Sequence, residues 1–132
     1  MKHSGKILAL LFSLVFAGQV FAQDASALSL KDNMKQSGIL FKQVATSIND
    51  ASKNKDNAAA VLKMIGYFEA AKNQSPDSTT NGSLSDYQSM IGEEITNLKT
   101  LQAAFVANDN VTALAVLQKI NNLKKEGHDK YK

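Results

Sequence analysis

The chain has 132 residues, with 12 acidic residues, 15 basic residues that are all lysine, and no cysteine. Its formal net charge is only +3, and nucleic-acid recognition usually needs clusters of arginine and lysine, so the composition argues against a nucleic-acid-binding protein. Because disulfides are impossible, the fold must be held by packing alone or by packing around a ligand.

A signal peptide is predicted at residues 1–22. The basic opening MKHSGK precedes an apolar run at residues 7–17, and VFA at residues 20–22 fits the small-residue rule for signal peptidase. The run is shorter than the roughly 20 apolar residues that span a membrane, so we expect cleavage after this motif and no membrane anchor afterwards. An uncleaved anchor is the alternative that the motif disfavours. Residues 23–132 are expected to form one domain in which His128 is the only histidine.

The first half of that domain predicts two amphipathic helices, because apolar residues recur at spacings of three and four. Ser29 is a candidate N-cap for the first helix, with Asp32 placed as a capping-box acid. A polar break at residues 49–57 follows, and the second helix is expected to begin near Asp56 or Asn57. The apolar positions of the two helices are Leu30, Met34, Phe41, Val44, Ala45, Ile48, Val61, Met64, Ile65, Phe68 and Ala71.

Two further helices follow a polar connection at residues 73–83 that contains the single proline, Pro76. Ser83 or Ser85 is expected to cap the third helix, and the fourth runs from Val111 towards the C-terminus. The residues expected to face inward are Leu84, Tyr87, Ile91, Ile95, Leu98, Leu101, Phe105, Leu114, Leu117 and Ile120. Four such helices on short connections predict an all-α fold, an up-down-up-down antiparallel four-helix bundle.

Met34 and His128 are the candidate metal ligands. In an up-and-down bundle the start of the first helix and the end of the fourth lie at the same end, with axes expected roughly 8–10 Å apart. Met34 would then face His128 across the open end of the core. A soft thioether with an imidazole suits haem iron or copper.

Each of these residues also has a simpler interpretation. A methionine on an apolar helical face usually fills the core, and a histidine near a helix C-terminus is usually solvated and favoured by the helix dipole. Gly38 and Gly127 would remove side-chain bulk beside the expected slot, or would only weaken their helices. The predicted opposition of Met34 and His128 is what favours a site.

The sequence predicts no catalytic constellation. HExxH, GxSxG and P-loop motifs do not occur, and the neighbouring acids Glu93 and Glu94 are expected on a solvated helix face. Tyr87 has two interpretations, as a residue beside a flat ring ligand or as ordinary core. We therefore expect a protein that is not an enzyme.

The residues LKDNMK near the predicted mature N-terminus and HDKYK at the C-terminus resemble the two ends of the cytochrome b562 family. DNAAAV at residues 56–61 and SPDS at residues 75–78 resemble further stretches of that family in the same order. The likeness covers residues 23–132, with a looser middle in which the second helix and the connection after it are shortened.

This resemblance implies a periplasmic bundle that holds one non-covalent haem b, with Met34 and His128 as axial ligands. It places Lys124, where the best-known member has arginine, near the haem edge, and it places Tyr87 where the family tends to have a phenylalanine against the ring. Covalent haem of the cytochrome c′ kind is excluded, because the run at residues 124–128 lacks both thiols.

Two axial ligands would leave no open iron position, which favours electron transfer over catalysis. We therefore expect an electron carrier that works with unidentified redox partner proteins, and we expect it to be a monomer. Two alternatives remain from the residues alone: a haem-free helical binding or chaperone bundle, and a copper-binding bundle that uses Met34 and His128, with another methionine as a candidate third ligand. The absence of a Met-x-x-Met motif or a histidine cluster favours haem over copper.

Overall fold

A computed structural model describes residues 25–76 and 83–131, so the predicted signal peptide lies outside the described residues. Four long helices fill the described part: α1, Leu30–Thr46; α2, Asn54–Lys72; α3, Leu84–Val106; and α4, Asn110–Lys130. A short 3-10 helix, Ala51–Lys53, joins α1 to α2. The described residues contain no strand, and the predicted all-α bundle is confirmed.

Short polar side chains fix where the helices begin. Ser29 accepts a hydrogen bond of 3.1 Å from the Asp32 amide at the start of α1, and Ser83 and Asp86 form both bonds of a capping box at the start of α3. Such bonds satisfy amide groups that have no partner inside the helix. The predicted caps at Ser29 and Ser83 are therefore confirmed, while α2 begins slightly earlier than expected, at Asn54.

Apolar side chains from all four helices form one core. Its buried members are Val44, Ile48, Ala60, Val61, Met64, Ile65, Phe68, Ile95, Leu98, Leu101, Ala104, Phe105, Ala113, Val116, Leu117 and Ile120. Two residues expected to face inward do not, since Leu84 is 45% exposed and Leu114 is 39% exposed. The buried face of α4 runs through Ala113 and Val116 instead, so a neighbouring small residue takes the position assigned to Leu114.

Asparagine side chains lock the end of the bundle at which α1 ends and α2 begins. The Asn54 amide donates to Asn108 Oδ1 at 3.1 Å and to Asn110 Oδ1 at 2.8 Å. Asn110 in turn donates to the Ile48 carbonyl at 2.9 Å. Asn108, in the turn between α3 and α4, has a φ of 56°, a left-handed conformation that asparagine tolerates better than most residues. This network holds three chain segments together at the closed end.

The opposite end of the bundle is open. Helices adjacent in the chain pack closely, α1 on α2, α2 on α3 and α3 on α4, whereas α1 and α4 approach each other far less. The prediction that the α1 and α4 axes lie at close-packing distance is therefore wrong. A cavity occupies the space between these helices.

Within residues 25–76 and 83–131, no helix has the length and apolar character needed to cross a membrane.

Candidate functional site

The cavity at the open end has a volume of about 560 Å³, within the range of small-molecule and cofactor sites, about 300–1,000 Å³. Its walls come from the first two-thirds of α1, the second half of α2, the first half of α3 and the second half of α4. This arrangement follows from the up-down-up-down order of the helices. The apolar part of the lining is formed by Leu30, Phe41, Met64, Phe68, Met90, Ile91, Ile120 and Leu123.

All four residues singled out from the sequence line this one cavity. Met34, half-buried, comes from α1, and His128, exposed, comes from the last turns of α4. Tyr87 comes from α3 and Lys124 from α4. The structure therefore brings a thioether and an imidazole from two different helices to one apolar cavity. Coordination of a metal by this pair stays a prediction.

Tyr87 is a fixed part of the cavity wall. Its hydroxyl donates a 2.7 Å hydrogen bond to the Ala71 carbonyl, and its ring meets the Tyr131 ring edge to face, with centres 5.5 Å apart and planes at 88°. Burial raises the pKa of Tyr87 to about 12. The side chain is therefore a neutral wall between α2, α3 and the end of α4. It is buried, as the core interpretation expects, and its contact with a ring ligand stays a prediction.

Lys124 lies at the rim between α4 and α1. Its ammonium nitrogen is 5.0 Å from the centre of the Phe41 ring on α1, a distance at which a cation is attracted to the ring face. Lysine side chains commonly cover apolar surface with the stem while the charged end stays hydrated. The rim thus offers a positive charge beside an otherwise apolar cavity.

Glu94 is a cavity residue that the sequence analysis missed. It was expected on a solvated face with Glu93, and that expectation is wrong for Glu94, which is only 3% exposed and lines the cavity. A signal was present in the sequence: Tyr87, Ile91, Glu94 and Leu98 follow one another at spacings of four, three and four, so Glu94 holds a core position of α3.

The Glu94 carboxyl group is strongly perturbed. Burial raises the pKa of Glu94 to about 8, repulsion from Glu93 acts in the same direction, and the charge of Lys124 opposes both. Its Oε1 atom has no hydrogen-bond partner among the described residues. Ser37 also lines the cavity, and its buried Oγ atom likewise has no hydrogen-bond partner among the described residues. The cavity wall thus contains two polar groups that the described part of the protein leaves unsatisfied.

Two glycines shape the space as a ligand would require. A Cβ atom at Gly38 would meet no atom within 4 Å, so this part of the cavity is open. A Cβ atom at Gly127 would lie 3.1 Å from Met90 Sδ, so the glycine lets Met90 approach α4. Together with the soft donor pair and the apolar lining, this open space fits a flat apolar ring with a central metal.

A metal site built from acidic and histidine side chains does not fit this chain as well. Among the described residues, no group of three or more histidine, cysteine, aspartate or glutamate side chains is placed to hold a metal ion. The lining contains three thioethers, those of Met34, Met64 and Met90, and the His128 imidazole. Of these donors, Met34 and His128 alone would leave most positions of a bare ion unfilled. They suit an ion whose other ligands come from a macrocycle.

Helix bundles build cofactor sites in the core between facing helices, and the fold and cavity define a cofactor-binding four-helix bundle. The family model for cytochrome b562 matches residues 29–132, and the chain belongs to this family. The resemblance seen in the terminal motifs is thereby confirmed, and the match supports a b-type haem-binding four-helix cytochrome. No curated protein and no solved structure shows significant similarity to the chain.

Proposed function

We propose that the chain is a periplasmic b-type cytochrome that binds one non-covalent haem through Met34 and His128 and passes single electrons between soluble partner proteins. The observation that supports the proposal is that both side chains, from α1 and α4, line one apolar cavity. Bound haem supplies one-electron chemistry at its iron.

Different residues of the chain would contribute to haem binding in different ways. Met34 Sδ and an imidazole nitrogen of His128 would hold the iron, and thioether donation would favour the reduced metal. Phe41 and Phe68 line the cavity and would shield a bound ring from water. Retention depends on these contacts alone, because the chain has no cysteine to form a covalent link.

Lys124 provides charge complementarity at the opening. Its ammonium group lies at the rim, held over Phe41, where it would pair with a carboxylate at the solvent edge of a bound ring. Lysine forms such a pair as a point charge rather than as a planar fork. Orientation of the ring in the cavity is the role that follows for Lys124.

The periplasmic location rests on the predicted signal peptide at residues 1–22 and on the family to which the chain belongs. Expression of the full chain in a bacterium with a periplasm, followed by fractionation and N-terminal sequencing, tests this part. Recovery of a periplasmic form that begins at Gln23 is expected. A form that keeps residues 1–22 would contradict the proposed processing.

Absorbance spectroscopy of residues 23–132 titrated with hemin, oxidised and then reduced, tests the function. We expect saturation at one hemin per chain and sharp visible bands on reduction. A parallel titration with Cu(I) is the control for a copper site. Failure to bind hemin, or binding of Cu(I) in preference to hemin, would overturn the proposal.

A further inference from the structure

Glu94 is a buried acid in a cavity that has no structural need for one. It occupies a core position of α3, between Ile91 and Leu98 on the buried face, and it is 3% exposed. Its Oε1 has no hydrogen-bond partner among the described residues. A polar group buried without a partner costs stability, and an apolar residue would fill the same position without that cost.

The charges around Glu94 are few. Those that act on it are Glu93, exposed on the same helix, and Lys124 on α4. The other titratable groups that line the cavity are Lys31, Tyr87, His128 and Tyr131. From α2, Lys72 approaches α3 beside Gly92. Its Nζ would lie 3.6 Å from a Cβ atom added to that glycine. Because Met64 and Phe68, the α2 helix residues that line the cavity, are apolar, Glu94 is poorly compensated.

We propose that Glu94 takes up a proton from solvent when the cofactor in this cavity is reduced and releases that proton when the cofactor is oxidised. The inference rests on the proposed function and deepens it. In the balanced step, a one-electron donor protein gives one electron to the iron, and the Glu94 carboxylate gains one proton to become a carboxylic acid. No other bond forms or breaks.

The physical reason is the change in charge inside the cavity. Ferric haem carries one more positive charge than ferrous haem, and an opposite charge nearby favours the ionised form of a carboxyl group. A bound ring that filled this apolar cavity would displace water from it, and the attraction would then be stronger than in solution. Reduction removes the attraction, so the carboxyl group holds its proton more tightly in the reduced protein.

The direction of the pH dependence follows. Between the pKa values of Glu94 in the oxidised and reduced proteins, reduction takes up a proton, so the midpoint potential falls as the pH rises. For a one-electron couple, the midpoint potential then falls by up to about 59 mV per pH unit, since one pH unit is a tenfold change in proton activity. Outside this window the contribution of Glu94 is constant.

Redox titration of the haem-loaded wild type, Glu94→Gln and Glu93→Gln across neutral and alkaline pH tests the inference. Glutamine keeps the size of the side chain but cannot ionise. The midpoint potential of E94Q should match that of the wild type at low pH and lie above it at high pH. The difference at high pH should be about 59 mV for each tenfold difference in the proton affinity of Glu94 between the oxidised and reduced proteins. E93Q is the matched control, because Glu93 adjoins Glu94 but is exposed, and it should keep the wild-type slope.

A second readout needs no haem. Carbon-13 NMR of glutamate-labelled protein without cofactor should show one carboxyl group that titrates with a pKa near 8, and this signal should be absent from E94Q alone. A wild type with normal haem spectra whose potential has the same pH dependence as E94Q would overturn the inference and leave the proposed function standing. Absence of haem binding in all three proteins would instead overturn the proposed function.

Discussion

The Lys124 ammonium group lies 5.0 Å from the centre of the Phe41 ring, and this contact joins α4 to α1 across the mouth of the cavity. The two helices approach each other less closely than any pair adjacent in the chain. The same lysine lowers the pKa of Glu94, in opposition to burial. One side chain therefore affects both the rim of the cavity and the charge of the acid in its wall.

Replacement of Lys124 should raise the pKa of Glu94. In Lys124→Met the stem is largely kept and the positive charge is lost, so the ionised carboxylate loses the one neighbouring charge shown to favour it. The measurement is the carbon-13 titration of the protein without cofactor. Lys125→Met is the control, since Lys125 is exposed and does not line the cavity. An unchanged or lower pKa of Glu94 in K124M would show that the lysine does not act on it.

The stability of the cofactor-free protein should fall as the pH rises through the neutral range. The pKa of Glu94 is about 8 in the folded chain, against an ordinary value of 4.5, so the folded state holds the proton more tightly than the unfolded state. Between these two values the contribution of Glu94 to the free energy of unfolding decreases by about 1.4 kcal/mol per pH unit, and it is constant below and above them.

Urea unfolding across this pH range measures the effect, and Glu94→Gln should remove that slope while Glu93→Gln keeps it. Asp50, Asp86 and Asp109 do not interfere, because hydrogen bonds to Ser52, Ser83 and Thr112 lower their pKa values below 3.8. Their contributions are lost only as the pH falls through those lower values. A wild type whose slope matches that of E94Q would contradict the assignment.

Filling the open space at Gly38 should block the ligand without unfolding the bundle. A Cβ atom there meets nothing within 4 Å, and Gly38 lines the cavity. We expect Gly38→Leu to weaken hemin binding by about 1–3 kcal/mol, as overpacking does in a filled interior, while helical circular dichroism is kept. Gly66→Leu is the control, because Gly66 is equally open but does not line the cavity, and it should bind hemin like the wild type.

The asparagine network at the closed end should affect stability and leave ligand binding alone. Asn54→Ala removes the side chain that bonds to both Asn108 and Asn110. We expect a loss of about 1–3 kcal/mol in the free energy of unfolding, because partly buried polar groups lose their partners. Asn122→Ala, at an exposed position of α4, should change it little. Weaker hemin binding by folded Asn54→Ala would show that the two ends are coupled.

The fold and the location of the site follow from the sequence because both depend on periodicity and chain order. Helical spacing and the caps at Ser29 and Ser83 predict the elements, and alternating helix direction places residues 34 and 128 at one end. The sequence does not show how far apart α1 and α4 stand, since this distance depends on how the other helix pairs pack. Helical spacing also predicts Leu114 in the core, whereas the buried residue is its neighbour Ala113.

Glu94 is a site residue for which spacing and residue type give opposite predictions. Its spacing from Tyr87, Ile91 and Leu98 places it on the buried face, but its residue type favours the surface, because buried glutamates are rare unless paired. A charged residue at a core spacing in a predicted ligand-binding bundle is better read as a candidate site residue, since local rules tend to fail at functional sites.

The most direct test of the account is the reduced spectrum of His128→Gly loaded with hemin, recorded before and after addition of imidazole. Removal of a true axial ligand should abolish the low-spin reduced spectrum, and free imidazole should restore it by entering the vacated position, which a purely structural defect would not allow. Met34→Ala should also lose this spectrum, whereas Met90→Ala should keep it, because Met90 lines the cavity but is not a proposed ligand. A wild-type reduced spectrum in His128→Gly without imidazole would contradict axial ligation by His128.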